Sequence, residues 1–296
     1  MALGLTRAEL EDLYVNSDRF FFQTKDILKP DGSHRYTFDV SPRLKRVHER
    51  ICACFLKVVQ YPDYLQGSLR GKDYLSNASK HSRKKVVISE DISNFFPSIS
   101  KKVVHEVWVG VFGFSNDVAE YLAELITLDG FMVQGAKPSS YICNLVFWHR
   151  EADLVEYFES KGYTYTRYVD DITVSTTRIL SNNEKTDIVN RIYSLWRTVG
   201  VKPNRKKHRI MARNERQTVH KVNVNREKPT LPKAKRKNIK AAVYQCENEY
   251  KEDPDSEAYL KLYRSTMGRV NTLARMHPVE GKKLKQRLLQ VKPIIL

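Results

Sequence analysis

The sequence predicts an α+β fold, an antiparallel sheet packed on helices, followed by a small, basic, all-helical segment. Three observations carry this. Residues 164–176 alternate in polarity and are rich in Tyr, Thr and Val, the pattern of a β-hairpin, with its turn at Val169-Asp170-Asp171. Val86-Val87-Ile88 is an apolar run that reads as a buried strand leading into Asp91. After about Asn225 the texture changes: residues 233–246, 257–276 and 282–290 carry helical patterns with no strand signal between them. A boundary near Arg226 therefore separates an expected α+β domain, residues 1–225, from an expected helical domain, residues 226–296.

The remaining elements follow in chain order. Thr6 and Glu9 have the spacing of a capping box that opens a short helix. Ser41-Pro42 starts a second helix, on which Leu44, Val47, Ile51, Phe55 and Val58 share one face. Val103, Val104, Val107 and Trp108 fit a helix, as do Tyr121, Leu122, Leu125 and Ile126. Pro138 opens a helix with Ile142, Leu145, Val146 and Ala152 inward. Ile188, Ile192, Leu195 and Trp196 mark another, and strand-like runs follow at 209–213 and 218–225.

Composition narrows the function classes. Of 296 residues, 51 are Lys or Arg and 34 are Asp or Glu, a formal net charge of +17. An excess of that size points to a polyanionic partner, either nucleic acid or an acidic membrane surface. Residues 202–240 hold 15 of the basic residues against two acids, a local +13 that includes Lys233, Lys235, Arg236 and Lys237. Read alone, such a run is equally a solvated basic face. The four cysteines form no CxxC pair and have no His partners at zinc spacing, which fits buried thiols in a reducing compartment. Residues 1–14 carry Arg7, Glu9, Glu11 and Asp12, unlike a signal peptide, and no apolar run approaches the roughly 20 residues of a membrane helix. The expectation is a soluble cytoplasmic protein with no membrane partner.

Three motifs carry chemistry. Tyr168-Val169-Asp170-Asp171 sets adjacent carboxylates at a hairpin tip, where their repulsion costs stability unless a cation sits there. Read alone it is a solvated Asp-rich turn. Glu90-Asp91-Ile92-Ser93-Asn94-Phe95-Phe96 ends a hydrophobic strand in a carboxylate, with an aromatic five residues later. Carboxylates from two such strands can hold two Mg²⁺ ions about 3.5–4 Å apart, and phosphoryl transfer needs little beyond such positioning and charge. Mg²⁺ prefers oxygen, so Asp91, Asp170 and Asp171 with one backbone carbonyl suffice. Gln134-Gly135-Ala136-Lys137-Pro138-Ser139-Ser140 is, by itself, a loop–helix junction whose glycine admits close approach of a ligand.

In order and spacing, these motifs resemble the palm of a reverse transcriptase. The Gly200-Val201-Lys202-Pro203-Asn204-Arg205-Lys206-Lys207 segment is similar to the next palm motif, and Val219 to Asn225 to the strand pair that grips the primer end. Upstream, Gly32-Ser33-His34-Arg35 and Ser41-Pro42-Arg43-Leu44-Lys45 resemble the fingers segment. Asn77-Ala78-Ser79-Lys80-His81 resembles the Asn-Ala-x-x-His element of retron-type enzymes. The family's Val-Thr-Gly string, associated with recognising the cognate structured RNA, is replaced here by Val219-His220-Lys221, so the resemblance leaves open a retron-like polymerase with a non-cognate or absent RNA template.

The resemblance implies a right-hand polymerase, with fingers and palm to residue 225 and a helical thumb after it. It implies that Asp91, Asp170 and Asp171 bind two Mg²⁺ ions with the Ile92 carbonyl assisting. It further implies Phe96 as steric gate against a ribose hydroxyl, Gln134 and Gly135 lining the nucleotide pocket, Arg35 on the triphosphate, and Lys207 as proton donor to pyrophosphate. Asn77 and His81 would be a buried structural pair or RNA contacts. The partners implied are dNTPs, a noncoding RNA that serves as template and primer, its DNA product, and an effector protein in anti-phage defence. Two alternatives stand beside it. An RNA-dependent RNA polymerase would need room for the 2′-hydroxyl and usually shows Gly-Asp-Asp. A catalytically silent nucleic-acid-binding assembly protein would have no use for an intact acidic triad.

Overall fold

The computed structural model describes residues 2–29 and 32–293. It divides into two compact units, one of residues 1–77 and 86–210, the other of residues 78–85 and 211–296. Among the described residues no helix is long and apolar enough to cross a membrane.

The first unit begins with α1 (Arg7–Val15), whose expected capping box forms, Thr6 accepting from the Glu9 amide and Glu9 from the Thr6 amide. A long hairpin follows, β1 (Phe21–Leu28) with β2 (His34–Val40). Then come α2 (Pro42–Cys54), α3 (Tyr74–Lys80), which runs on across the division, and β3 (Val86–Asp91). After β3 lie α4 (Phe95–Ser98), α5 (Lys101–Phe112), α6 (Asn116–Glu124) and a small hairpin of β4 (Thr127–Leu128) and β5 (Phe131–Met132). The unit continues with α7 (Ser139–Leu145), α8 (Glu151–Ser160), the hairpin β6 (Thr164–Tyr168) and β7 (Asp171–Thr176), and α9 (Asn182–Arg197). A four-stranded sheet has the order β6-β7-β3-β8, and the division of the chain falls inside β8 (Arg209–Ala212). β3 sits in the middle of this sheet, buried on both faces, which is why its sequence is a continuous apolar run rather than an alternation.

The second unit holds β9 (Thr218–Val219), β10 (Val222–Asn223), α10 (Lys233–Glu252), α11 (Glu257–Met276) and α12 (Pro278–Gln290). The three expected C-terminal helices form, α11 with the expected bounds. α11 and α12 meet closely at Gly281, where a Cβ would fall 2.3 Å from the Ala274 Cα. Residues 78–85 join this unit through the Arg83 amide, which donates to the Val224 carbonyl at 2.9 Å.

Three expectations need correction. The helix from Pro42 stops at Cys54; a 3-10 turn (Leu56–Val58) follows, burying Leu56 and leaving Val58 68% exposed. The helix opened by Pro138 ends at Leu145, and α8 starts afresh at Glu151, so Ala152 is exposed and Glu151 is the buried residue. That break turns Glu151 inward, toward a partner described below. The continuous strand-like run read over 218–225 is instead two short paired strands, the strand pair that the resemblance implied, folded back at His220-Lys221, both with positive φ, 49° and 64°. This is the backbone of a tight hairpin turn, built without the glycine such positions favour.

Candidate active site

The pairing of β3 with β7 is antiparallel and puts Asp91 directly opposite Asp171. The β6–β7 turn adds Asp170, and carboxylate oxygens from Asp91, Asp170 and Asp171 lie within 4.8 Å of one another. Like charges facing each other across a ladder are destabilising, and these are also withdrawn from water. Burial raises the pKa of both hairpin carboxyls. Asp170 is raised further by the Asp91 charge, against the pull of Lys207 and Arg35. Asp171 is pushed up to about 8 by burial, by Asp170 and by the adjacent Asp91 carboxylate. Asp91 is 3% exposed; its Oδ2 accepts from Lys207 Nζ at 2.7 Å, while its Oδ1 is buried with no hydrogen-bond partner. An all-oxygen donor set of this kind, with one oxygen unsatisfied, suits a hard divalent cation.

Holding this hairpin tip takes a scaffold that sequence reasoning missed. Val169 occupies the turn with φ 60°, a region β-branched residues avoid. The tip rests against Gly67, where a Cβ would fall 2.6 Å from both Val169 Cγ2 and the Val169 amide nitrogen. Beneath it lies Arg167, fully buried on β6. Its Nε and Nη2 donate to the two Glu151 carboxylate oxygens at 2.6 and 2.7 Å. Its Nη1 donates to the carbonyls of Cys143 at 2.9 Å and Val169 at 3.2 Å, and Nη2 also to that of Asn144 at 2.9 Å. Tyr165 donates its hydroxyl to Glu151 at 2.7 Å. Burial opposes the Arg167 charge, but Glu151 outweighs it and the guanidinium pKa is raised. The three side chains of this knot, Arg167, Glu151 and Tyr165, are all buried, so a bidentate pair ties α8, the end of α7 and the hairpin turn to one point. The signal was present: a charged residue amid a run of buried strand positions, next to the motif.

The model of the reverse transcriptase (RNA-dependent DNA polymerase) family matches residues 27–241. The retron Se72 reverse transcriptase of Salmonella heidelberg (strain 579083-10) is 32% identical over 99% of this chain and 78% of its own length. The chain belongs to the retron-type reverse transcriptase family. Its activity is RNA-directed DNA polymerisation. The retron Ec48 reverse transcriptase of Escherichia coli is 33% identical over 92% of this chain and 70% of that protein. Among solved structures, a telomerase from Candida albicans, in complex with a TWJ fragment of telomeric RNA, aligns over 96% of this chain with a TM-score of 0.52 at 10% identity. The reverse transcriptase spans 59% of that chain's length, and the likeness is one of fold. The mixed α+β body and C-terminal helices agree with the expected right-hand polymerase.

The other residues singled out in this reverse transcriptase are distributed as follows. The Ile92 amide donates to the Asp170 carbonyl at 3.1 Å, so the residue after Asp91 touches the hairpin. Phe95 is buried and stacks on Phe147, whereas Phe96 is only half-buried at the start of α4. The Gln134 carbonyl accepts from the Phe38 amide at 2.8 Å, and a Cβ on Gly135 (φ 121°) would fall 2.1 Å from the Phe38 carbonyl oxygen. That glycine is required by the protein's own β2 strand. Arg35 is exposed on β2. Asn77 and His81 are fully buried, and burial pulls the His81 imidazole down to about 3. On α10, Lys233, Lys235 and Lys237 are exposed, but Arg236 is half-buried and engaged with Glu280 at 2.8 Å.

Two outcomes are expected. Arg167→Met leaves Glu151 a buried, unpaired charge and should destabilise the protein by roughly 3–5 kcal/mol in urea unfolding, with Arg167→Met/Glu151→Leu recovering part of the loss. A cost below about 1 kcal/mol would mean the pair behaves like a surface one. The second concerns Asp171. With its folded pKa raised to about 8 from an ordinary 3.8, its contribution is present at low pH and lost as pH rises from about 4 to about 8. Asp171→Asn should therefore gain stability relative to wild type across that window in metal-free buffer. A divalent cation should narrow the gap; a gap independent of pH would contradict the assignment.

Proposed function

We propose that this reverse transcriptase makes DNA at Asp91, Asp170 and Asp171 with two Mg²⁺ ions, on a structured noncoding RNA. The observation that carries this reading is the convergence of three carboxylates with a buried, partnerless Asp91 oxygen. Bound Mg²⁺ would activate the primer hydroxyl and offset charge on the departing pyrophosphate. The Ile92 carbonyl completes the oxygen set. Lys207 donates a proton to pyrophosphate; burial opposes its charge, but the Asp91 hydrogen bond and the carboxylates around it raise its pKa, so it arrives protonated.

Arg35 takes the incoming triphosphate; its charge already acts on Asp170. Gln134 and Gly135 line the nucleotide pocket, with their loop pinned to β2 by Phe38. Phe96 is the steric gate, a role supported by its half-exposed ring beside a fully packed Phe95. The burial of Asn77 and His81 favours their reading as structural polar residues over direct RNA contacts. Residues 1–225 act as fingers and palm and 226–296 as thumb, with Lys233, Lys235 and Lys237 contacting phosphates and Arg236 tying α10 to α12 through Glu280. Membership of a retron-type family favours an RNA template; on the sequence resemblance we further assign a noncoding RNA as both template and primer, dNTPs as substrates, a DNA product, an effector protein and a cytoplasmic role in anti-phage defence. His220 and Lys221 keep the tight turn while substituting imidazole and ammonium for the family's Thr and Gly.

Asp170→Asn/Asp171→Asn should abolish Mg²⁺-dependent extension of an RNA-templated primer and leave RNA affinity near wild type; extension at the wild-type rate would remove the metal assignment. Phe96→Val should lower discrimination between dNTP and rNTP roughly tenfold to a hundredfold, since a hydroxyl left unsatisfied against the ring costs about 1–3 kcal/mol. Equal loss of activity on both nucleotides would make Phe96 a packing residue.

A further inference from the structure

Lys207 is carried on the 3-10 turn Arg205–Lys207, and its side chain is 57% exposed on a flexible stem. Something has to aim it. The turn is gripped at its start, where the Asn204 amide donates to the Asp91 carbonyl at 2.7 Å and Pro203 bridges to Ile92. It is also gripped at its end. His208 Nδ1 donates to Glu90 Oε1, and the other Glu90 oxygen accepts from the Tyr193 hydroxyl of α9 at 3.1 Å. Glu90 is 1% exposed, a buried carboxylate that takes no part in the metal cluster.

Strand geometry explains why these contacts come as a pair. Glu90 and Asp91 are neighbours on β3, so their side chains leave opposite faces of the sheet. Lys207 and His208 are neighbours too. The first reaches Asp91 Oδ2 on one face, the second reaches Glu90 on the other. The turn thus straddles the end of β3 and is pinned on both sides of Lys207.

We propose that Glu90 and His208, with Tyr193 behind them, form a positioning clamp that sets Lys207 for proton transfer to the leaving pyrophosphate. This rests on the reading of Lys207 as proton donor. The clamp does not touch the substrate; it narrows the range of turn conformations from which Lys207 can reach.

The test is a double-mutant cycle on single-turnover dNTP incorporation at saturating Mg²⁺, with dNTP and RNA affinities measured alongside. Lys207→Ala should slow incorporation roughly a hundredfold or more. His208→Ala should slow it roughly tenfold with both affinities unchanged, and His208→Asn, which keeps an N–H near the Nδ1 position, should restore most of the rate. The double variant Lys207→Ala/His208→Ala should be no slower than Lys207→Ala alone, because His208 acts through the lysine. Multiplying defects would overturn the clamp while leaving the lysine's role intact, and so would a wild-type rate for His208→Ala. A wild-type rate for Lys207→Ala would overturn the proton-donor reading and the clamp with it. Should His208→Ala fail to fold, Tyr193→Phe removes one hydrogen bond from Glu90 and supports the same cycle, with an expected slowing of roughly threefold to tenfold that disappears in the Lys207→Ala background.

Discussion

Three carboxylates aimed at one point repel one another, and the fold must hold them there before any cation arrives. The buried pair of Arg167 and Glu151 is the interaction on which this depends. Its guanidinium satisfies the Val169 carbonyl of the turn and two carbonyls at the end of α7, so moving the hairpin tip would unpair a buried charge. Breaking such a pair costs more than the pair itself contributes to stability. Its value here is geometric: it makes the strained, repulsive position of Asp170 and Asp171 the least costly one available. Gly67 makes room for the tip, and Val169 takes a left-handed conformation that only such over-determination sustains.

The surrounding cations complete the balance. Lys207 and Arg35 both lower the pKa of Asp170, and both come from segments outside the hairpin. Lys207 arrives on a turn bonded at both ends across the end of β3, and Arg35 on the β1–β2 hairpin, whose Phe38 is bonded to the Gln134 loop. Carboxylates, cations and the Gln134 loop are thereby linked through main-chain contacts rather than through flexible side chains alone. Preorganised charge of this kind is what phosphoryl transfer demands of a protein.

Much of this was legible in the chain. The hairpin at 164–176, the strand entering Asp91, the capping box at Thr6, the α+β body and the three C-terminal helices all follow from periodicity and local turn chemistry, which act over a few residues. The triad was legible because acidic motifs at a strand end and a hairpin tip have few structural uses. What misled was equally physical. The helical pattern running through residue 152 hid a break, since Ala152 fits an apolar face as well as it tolerates solvent. The run at 218–225 hid a turn because His and Lys rarely occupy adjacent positive-φ positions.

The sequence by itself determined which elements form and which residue types could do the chemistry, because secondary structure and motif spacing are set by near neighbours along the chain. Only the tertiary structure decided that Glu151 answers Arg167, that Gly135 makes room for Phe38 rather than for a ligand alone, that Arg236 is engaged with Glu280, and that Glu90 and Asp91 each capture one of Lys207 and His208. These are meetings between residues 16 to 118 positions apart, or between opposite faces of one strand. No local preference encodes them; they exist because burial leaves a charged or polar atom no partner except the one the fold brings to it.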